Sequence, residues 1–203
     1  ALLPAVIAAC DAVAFAHGRQ VIHRDLTPSN ILVGEHGETV VIDWGLAKDL
    51  AALDDDAADA AAPIDAAGTD ATRAGDVLGT PAYMPPEQAQ DSASVDGRAD
   101  IYSLGCTLYV LVTGKPPFEG KTALEIISKH QTQPLVPPEV VVKRVPKALS
   151  AILLKMMAKK PEGRPPTAAV VRACQFLIRW PSSRTIRSHG ARSIRRRSRS
   201  TCS

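Results

Sequence analysis

Asp25, Asn30 and Asp43 are side chains of the types that handle a proton and a hard cation. The first two lie in His23-Arg24-Asp25-Leu26-Thr27-Pro28-Ser29-Asn30, and Asp43 opens Asp43-Trp44-Gly45, thirteen residues after Asn30. A carboxylate such as Asp25 can accept the proton of a hydroxyl. Asn30 and Asp43 offer hard oxygens of the kind magnesium takes. A base for a hydroxyl and two oxygen donors for a divalent cation are what phosphoryl transfer asks of a protein, because that reaction needs positioning and charge neutralisation more than covalent chemistry. Taken singly, an Asp or Asn here would be read as capping a turn. The three together favour the chemical reading.

These residues need elements to bring them together. Apolar side chains at Leu3, Val6, Ile7, Cys10, Val13 and Ala14 follow helical spacing, and Gly18 supplies a stop, so residues 2–17 are expected to form an amphipathic helix. Val21-Ile22 is a short β-branched run. Ile31-Leu32-Val33 and Thr39-Val40-Val41-Ile42 flank a turn at residues 34–38, which predicts a hairpin whose ends deliver Asn30 and Asp43. Residues 96–113 are apolar on most faces after the first turn and end at Gly114 with Pro116-Pro117, the pattern of a buried helix. Further helices are expected at about 122–130, 147–159 and 167–179, joined by proline-rich turns at 134–138 and 161–166. The class is mainly α with a minor β-hairpin.

Between these elements the composition changes twice. Ala and Asp fill 19 of the 28 positions in 49–76, with no aromatic residue, so this stretch reads as a mobile loop with too little apolar surface to offset the entropy of ordering. Residues 181–203 hold seven Arg, seven Ser and no acid, and read as a disordered tail. The formal charge of +3 therefore misleads: without those seven Arg, residues 1–180 carry 17 basic against 21 acidic side chains, a net of −4. A basic run can bind nucleic acid, but without aromatic stacking residues a solvated tail is the preferred reading. A shift of reading frame near residue 180 would give the same abrupt change.

The segment 23–30 with Asp43-Trp44-Gly45 resembles the catalytic loop and metal-binding motif of the protein kinase family. The resemblance runs from about residue 1 to 180 and is nearest to bacterial serine/threonine kinases. It implies a protein-kinase-like C-lobe over 1–180, with the catalytic loop at 23–30 and the activation segment at 43–87. It also implies phosphoryl transfer from ATP to Ser/Thr hydroxyls of a protein substrate, with Asp25 as base and Asn30 and Asp43 on Mg2+. Gly79-Thr80-Pro81-Ala82-Tyr83-Met84-Pro85-Pro86-Glu87 is similar to the end of an activation segment. By that resemblance Glu87 pairs with Arg164, Asp100 hydrogen-bonds the catalytic-loop backbone, and Thr80 contacts Asp25 and shapes the substrate groove. His23 supports the core, Gly45 completes the metal-binding motif, and Arg24 receives a phosphate on Thr69 or Thr72, with Thr72 favoured.

Three departures stand out. Thr27 occupies the place where the family's serine/threonine branch usually has Lys, which removes a cation that would stabilise transition-state charge. Trp44 replaces Phe, one apolar ring for another. No G-x-G-x-x-G loop or V-A-I-K strand occurs in the sequence, so the resemblance places the ATP-binding N-terminal lobe upstream in cis and predicts an inactive, poorly soluble isolated chain. The competing reading is a pseudokinase or docking module without activity.

Cys10, Cys106, Cys174 and Cys202 have no paired spacing, so neither zinc nor disulfides are expected, and a reducing cytoplasm is the simplest setting. No run of 18 apolar residues predicts a membrane span, and the N-terminal apolar residues lack the basic flank of a signal peptide.

Overall fold

The structure is a computed structural model, and it describes residues 2–51, 80–92 and 94–168. Expectations for the Ala/Asp-rich insert beyond residue 51, for Thr69 and Thr72, for a helix at 167–179 and for the Arg/Ser tail fall wholly or almost wholly outside the described residues.

The chain opens with helix α1 (Leu2–His17), whose Val6, Ala9, Cys10 and Val13 form the buried stripe. Strand β1 (Val21–Ile22) follows, then the loop at residues 23–30 with a 3-10 turn at Pro28–Asn30. Strands β2 (Ile31–Val33) and β3 (Thr39–Val41) form the expected antiparallel hairpin in the register Ile31↔Val41, Leu32↔Val40 and Val33↔Thr39. Side chains alternate across a strand, so the Ile31 and Val41 pair turns into the core while Leu32 and Val40 face outward. The reversal at residues 34–38 uses Gly37 with φ +91°, a conformation glycine adopts without steric cost.

A second sheet was not foreseen: β4 (Lys48–Asp49) pairs antiparallel with β1, Val21 opposite Asp49 and Ile22 opposite Lys48. Position 49, read as the first of the loop, is thus in a strand. Two-residue strands carry no readable periodicity, and the pairing is extended by the Leu50 amide donating to the Gln20 carbonyl at 2.8 Å.

Helix α2 (Arg98–Thr113) is the spine, buried at every residue from 99 to 109. It ends at Gly114, whose φ of +76° and amide bond to the Val110 carbonyl form a left-handed cap. A Cβ on Gly105 would come within 2.8 Å of Met157, so the glycine is what lets α2 approach the segment after α5. Helix α3 (Ala123–Thr132) starts with Thr122 accepting from the Glu125 amide while Glu125 accepts from the Lys121 amide. A short helix α4 (Pro138–Val141), not expected from the sequence, begins where the proline-rich turn at 134–138 ends. It opens on a proline, which lacks a donor that the first helical turn would leave unpaired anyway.

Helix α5 (Lys147–Met156) packs Leu149, Leu153 and Met156 against α2. Full burial of each such side chain contributes about 1.5–3 kcal/mol. The expected helix to 159 stops at Met156, because the carbonyls of Ala158 and Lys159 leave the helical path and accept from Arg164. The fold is mostly helical with small antiparallel strands, and no described helix is long and apolar enough to cross a membrane.

Candidate active site

Two site residues other than glycine adopt the left-handed region: Arg24 at φ +68° in the loop after β1 and Asp43 at φ +63° after β3. Each such conformation costs on the order of 1 kcal/mol and persists only where the surroundings enforce it. At Arg24 the enforcement comes from Asp100, fully buried in the first turn of α2. Its Oδ1 accepts from the Arg24 amide at 2.8 Å, and its Oδ2 from the His23 amide at 2.8 Å and from His17 Nε2 at 2.8 Å. The Arg24 carbonyl accepts from Gln88 Nε2 at 2.9 Å. Both peptide groups of the strained residue are thereby fixed.

Asp25 follows directly and is half-buried. Its Oδ1 accepts from the Thr80 backbone amide at 3.0 Å. Asn30 Nδ2 donates to the Asp25 carbonyl at 2.8 Å and to Asp25 Oδ2 at 3.3 Å. Both hydrogens of the Asn30 amide group are therefore spent on Asp25, which leaves its Oδ1 as an acceptor on the opposite side. The Ile42 amide donates to the Asn30 carbonyl at 2.9 Å, so Asp43 emerges beside the loop with an exposed carboxylate.

His23 completes the stitch. Its Nδ1 accepts from the Asp25 amide at 3.3 Å, so the ring proton sits on Nε2 and is donated to the Ile42 carbonyl at 3.0 Å. The ring is fully buried and packs on Trp44, centroids 4.6 Å apart. The Trp44 indole donates to the Val41 carbonyl at 3.2 Å. Gly45 follows, where a Cβ would stand 3.3 Å from Asp43 Oδ1.

The remaining candidates lie around this centre. Thr27 is buried, and its hydroxyl pairs with Ser29 Oγ at 2.6 Å. The Arg24 guanidinium donates through Nε to the Leu46 carbonyl at 2.5 Å, and burial, partly countered by Asp100, holds its pKa below the ordinary arginine value. Glu87 and Arg164 meet in a bidentate pair, at 2.5 and 2.7 Å. The other Arg164 donors reach the carbonyls of Arg98, Lys159 and Ala158, which satisfies all five N–H groups of a buried guanidinium. His17, Gln88 and Ser103, whose hydroxyl donates to the Tyr83 carbonyl at 2.9 Å, were not singled out from the sequence. Only His17 left a trace there, as the last residue before the helix stop.

The model of the "protein kinase domain" family matches residues 5–176. This chain belongs to the protein kinase family. It is 38% identical over 165 residues to "Serine/threonine-protein kinase PknB" of Mycobacterium tuberculosis, covering 81% of this chain and 24% of that protein. It is 39% identical over 159 residues to "Probable serine/threonine-protein kinase PknB" of Bifidobacterium longum, covering 78% and 21% respectively. With "Probable serine/threonine-protein kinase CE0033" of Corynebacterium efficiens it shares 38% over 190 residues, covering 91% and 26%. The chain spans about a quarter of the length of these curated relatives. The kinase chain is thus similar to bacterial serine/threonine kinases across most of its own length.

Proposed function

We propose that this chain is the substrate-side, C-terminal lobe of a serine/threonine protein kinase, with Asp25 as the base for the substrate hydroxyl. The observation that carries the reading is the double anchoring of Asp25. Thr80 N–H on one oxygen and the Asn30 amide on the other fix the carboxylate plane while leaving lone pairs on both oxygens for an incoming hydroxyl. The turn Pro81–Tyr83, directly after Thr80, then lies where the peptide around that hydroxyl would run.

The donor set suits magnesium. Asn30 Oδ1, freed by the engagement of its amide hydrogens, and the exposed Asp43 carboxylate are hard oxygens on neighbouring segments, with room left for ligands from nucleotide phosphates and water. Magnesium-ATP, when bound, supplies the phosphoryl group and the charge neutralisation for its transfer. The chain's own residues orient Asp25, take the hydroxyl proton at its carboxylate, and hold the loop against relaxation through Asp100. No glycine-rich loop occurs in the 203 residues, so the remaining nucleotide contacts belong to another segment, which we assign to an N-terminal lobe in cis.

A second reading, a docking module without catalysis, is favoured by Thr27. Its hydroxyl is turned to Ser29, and no cation stands at that position to meet developing charge. Phosphate transfer from ATP to a Ser/Thr peptide separates the two readings, measured on the chain joined to the residues encoded directly upstream. A rate that falls about a hundredfold or more in Asp25→Asn supports the kinase reading. Equal rates in the two proteins, or no transfer in either, remove Asp25 as base and leave the docking module.

A further inference from the structure

Thr80 and Asn30 fix the side chain of Asp25, but a carboxylate is aimed by its backbone as well. The peptide unit before Asp25 joins the Arg24 carbonyl to the Asp25 amide. It lies between β1, which ends at Ile22, and the 3-10 turn that begins at Pro28, so neither a strand ladder nor a helix supplies the donor that this carbonyl needs. Gln88 supplies it, with Nε2 at 2.9 Å. The Asp25 carbonyl, on the next peptide unit, accepts from the Asn30 side chain at 2.8 Å. Two side-chain carboxamides therefore bracket Asp25, one from its own loop and one from 64 residues beyond Arg24.

Gln88 is 5% exposed. Burying a glutamine immobilises a rotamer-rich side chain and strips water from its amide, whereas a methionine of similar length would fill the volume without the second cost. The NH2 end must face Arg24, since an oxygen there would meet the carbonyl oxygen. What gives the contact its direction is the turn that carries Gln88. The preceding residue, Glu87, is held by the bidentate bond from Arg164, whose side chain is fully buried, at 2.5 and 2.7 Å. The Gln90 and Asp91 amides return to the Glu87 carbonyl at 3.0 and 2.9 Å and close the turn around Gln88. Gln88 thus reaches Arg24 from a backbone pinned on both sides.

We propose that Gln88 is a positioning residue for Asp25, carrying the fixed position of Glu87 to the peptide unit that aims the base. The proposal rests on the kinase reading for the role of Asp25. Asp100 holds the Arg24 amide and Gln88 the Arg24 carbonyl, so the left-handed residue is gripped from both ends. Without the second grip the peptide unit before Asp25 can rotate, and the bonds from Thr80 and Asn30 must follow or break. Misplacing a reacting group by about 1 Å can cost on the order of a hundredfold in rate. With both side-chain anchors of Asp25 retained, the loss expected on removing Gln88 is smaller, about tenfold, the equivalent of one net hydrogen bond.

The test compares the chain joined to the residues encoded directly upstream with its Gln88→Met and Gln88→Glu variants. Gln88→Met keeps the volume and removes the donor. It should lower kcat for phosphate transfer to a Ser/Thr peptide about tenfold and leave KM for magnesium-ATP within about twofold. Amide hydrogen exchange reads the same contact without chemistry, because the Asp25 N–H shares its peptide unit with the Arg24 carbonyl and donates to His23 Nδ1 at 3.3 Å. Exchange at Asp25 should quicken up to about tenfold in Gln88→Met, while α2 amides change by less than about twofold. Gln88→Glu adds a pH signature: the introduced carboxyl can donate to Arg24 only when protonated, so its rate relative to the unsubstituted protein should rise above that of Gln88→Met as pH is lowered. Unchanged kcat in Gln88→Met, a loss confined to KM, unchanged exchange at Asp25, equal acceleration at Asp25 and α2, or a Gln88→Glu rate that stays at the Gln88→Met level at every pH overturns the proposal and leaves the kinase reading standing. Absence of phosphate transfer by the unsubstituted protein removes the kinase reading, and this proposal with it.

Discussion

Beneath the loop at residues 23–30 lie buried charges whose donors and acceptors are matched. Above it, between α1 and Trp44, lies an open apolar cleft of about 430 Å³ with Phe15 63% exposed and Trp44 37% exposed. The lower side fixes direction: Asp100 holds the loop amides and Arg164 holds Glu87, each with several hydrogen bonds that permit one geometry. The upper side contributes contact without direction, and much of its apolar area still meets water. Polar anchoring thus sets where Asp25 and Asn30 stand, whereas the apolar face around Asp43 adds little stability of its own. This division would fail if substitutions on the two sides cost the same.

The largest effect is expected at Arg164. Arg164→Ala strands the Glu87 carboxylate and three carbonyls, and should lower the unfolding free energy by about 3–5 kcal/mol in urea titrations. Asp100→Asn comes next, at about 3 kcal/mol, because one acceptor oxygen is exchanged for an amide that faces donors. Its sharper readout is chemical: the left-handed Arg24 loses its enforcement, so phosphate transfer should fall more than binding does.

The pH dependence sharpens the contrast from another direction. The unfolded chain protonates His130 near 6.5 and the folded chain near 4, so its contribution is fully present above pH 6.5 and is lost as pH falls toward about 4. The expected loss is about 2–3 kcal/mol, read as the difference between the stability profiles of the unsubstituted chain and His130→Gln. Tyr102 and Cys106 from α2, Glu87, and Lys159 and Arg164 after α5 are the ionisable groups around His130. Lys159, held down to about 8 by burial, behaves with the same sign at higher pH: the folded state is relieved as pH rises from 8 toward 10.5. The smallest effect belongs to the upper face. Trp44→Phe loses one half-exposed hydrogen bond to Val41 and should cost at most about 1 kcal/mol.

The sequence disclosed the parts with strong periodicity or a fixed motif. The stripe of α1, the β2–β3 hairpin and the α2 segment apolar on most faces could each be read, because burial on one face or on most faces leaves a pattern in residue order. The β1–β4 pair and the four-residue α4 could not, since two to four residues carry no period and depend on tertiary partners. Among site residues, Asp25, Asn30 and Asp43 stood out by type and spacing. His17, Gln88 and Ser103 did not, because a helix-terminal His, a loop Gln and a helical Ser are ordinary until the fold brings them to Asp100, Arg24 and Tyr83. The early end of α5 was likewise invisible, because it is dictated by Arg164 claiming two carbonyls from outside the helix.

The central claim is that Asn30 and Asp43 hold the metal of a nucleotide whose phosphate passes over Asp25. Calorimetric titration with magnesium-ATP tests it most directly, on the chain joined to the residues encoded upstream and on the same protein with Asp43→Ala. Magnesium-dependent binding that disappears in Asp43→Ala is the predicted result. Equal binding in both proteins, or none in either, would contradict it.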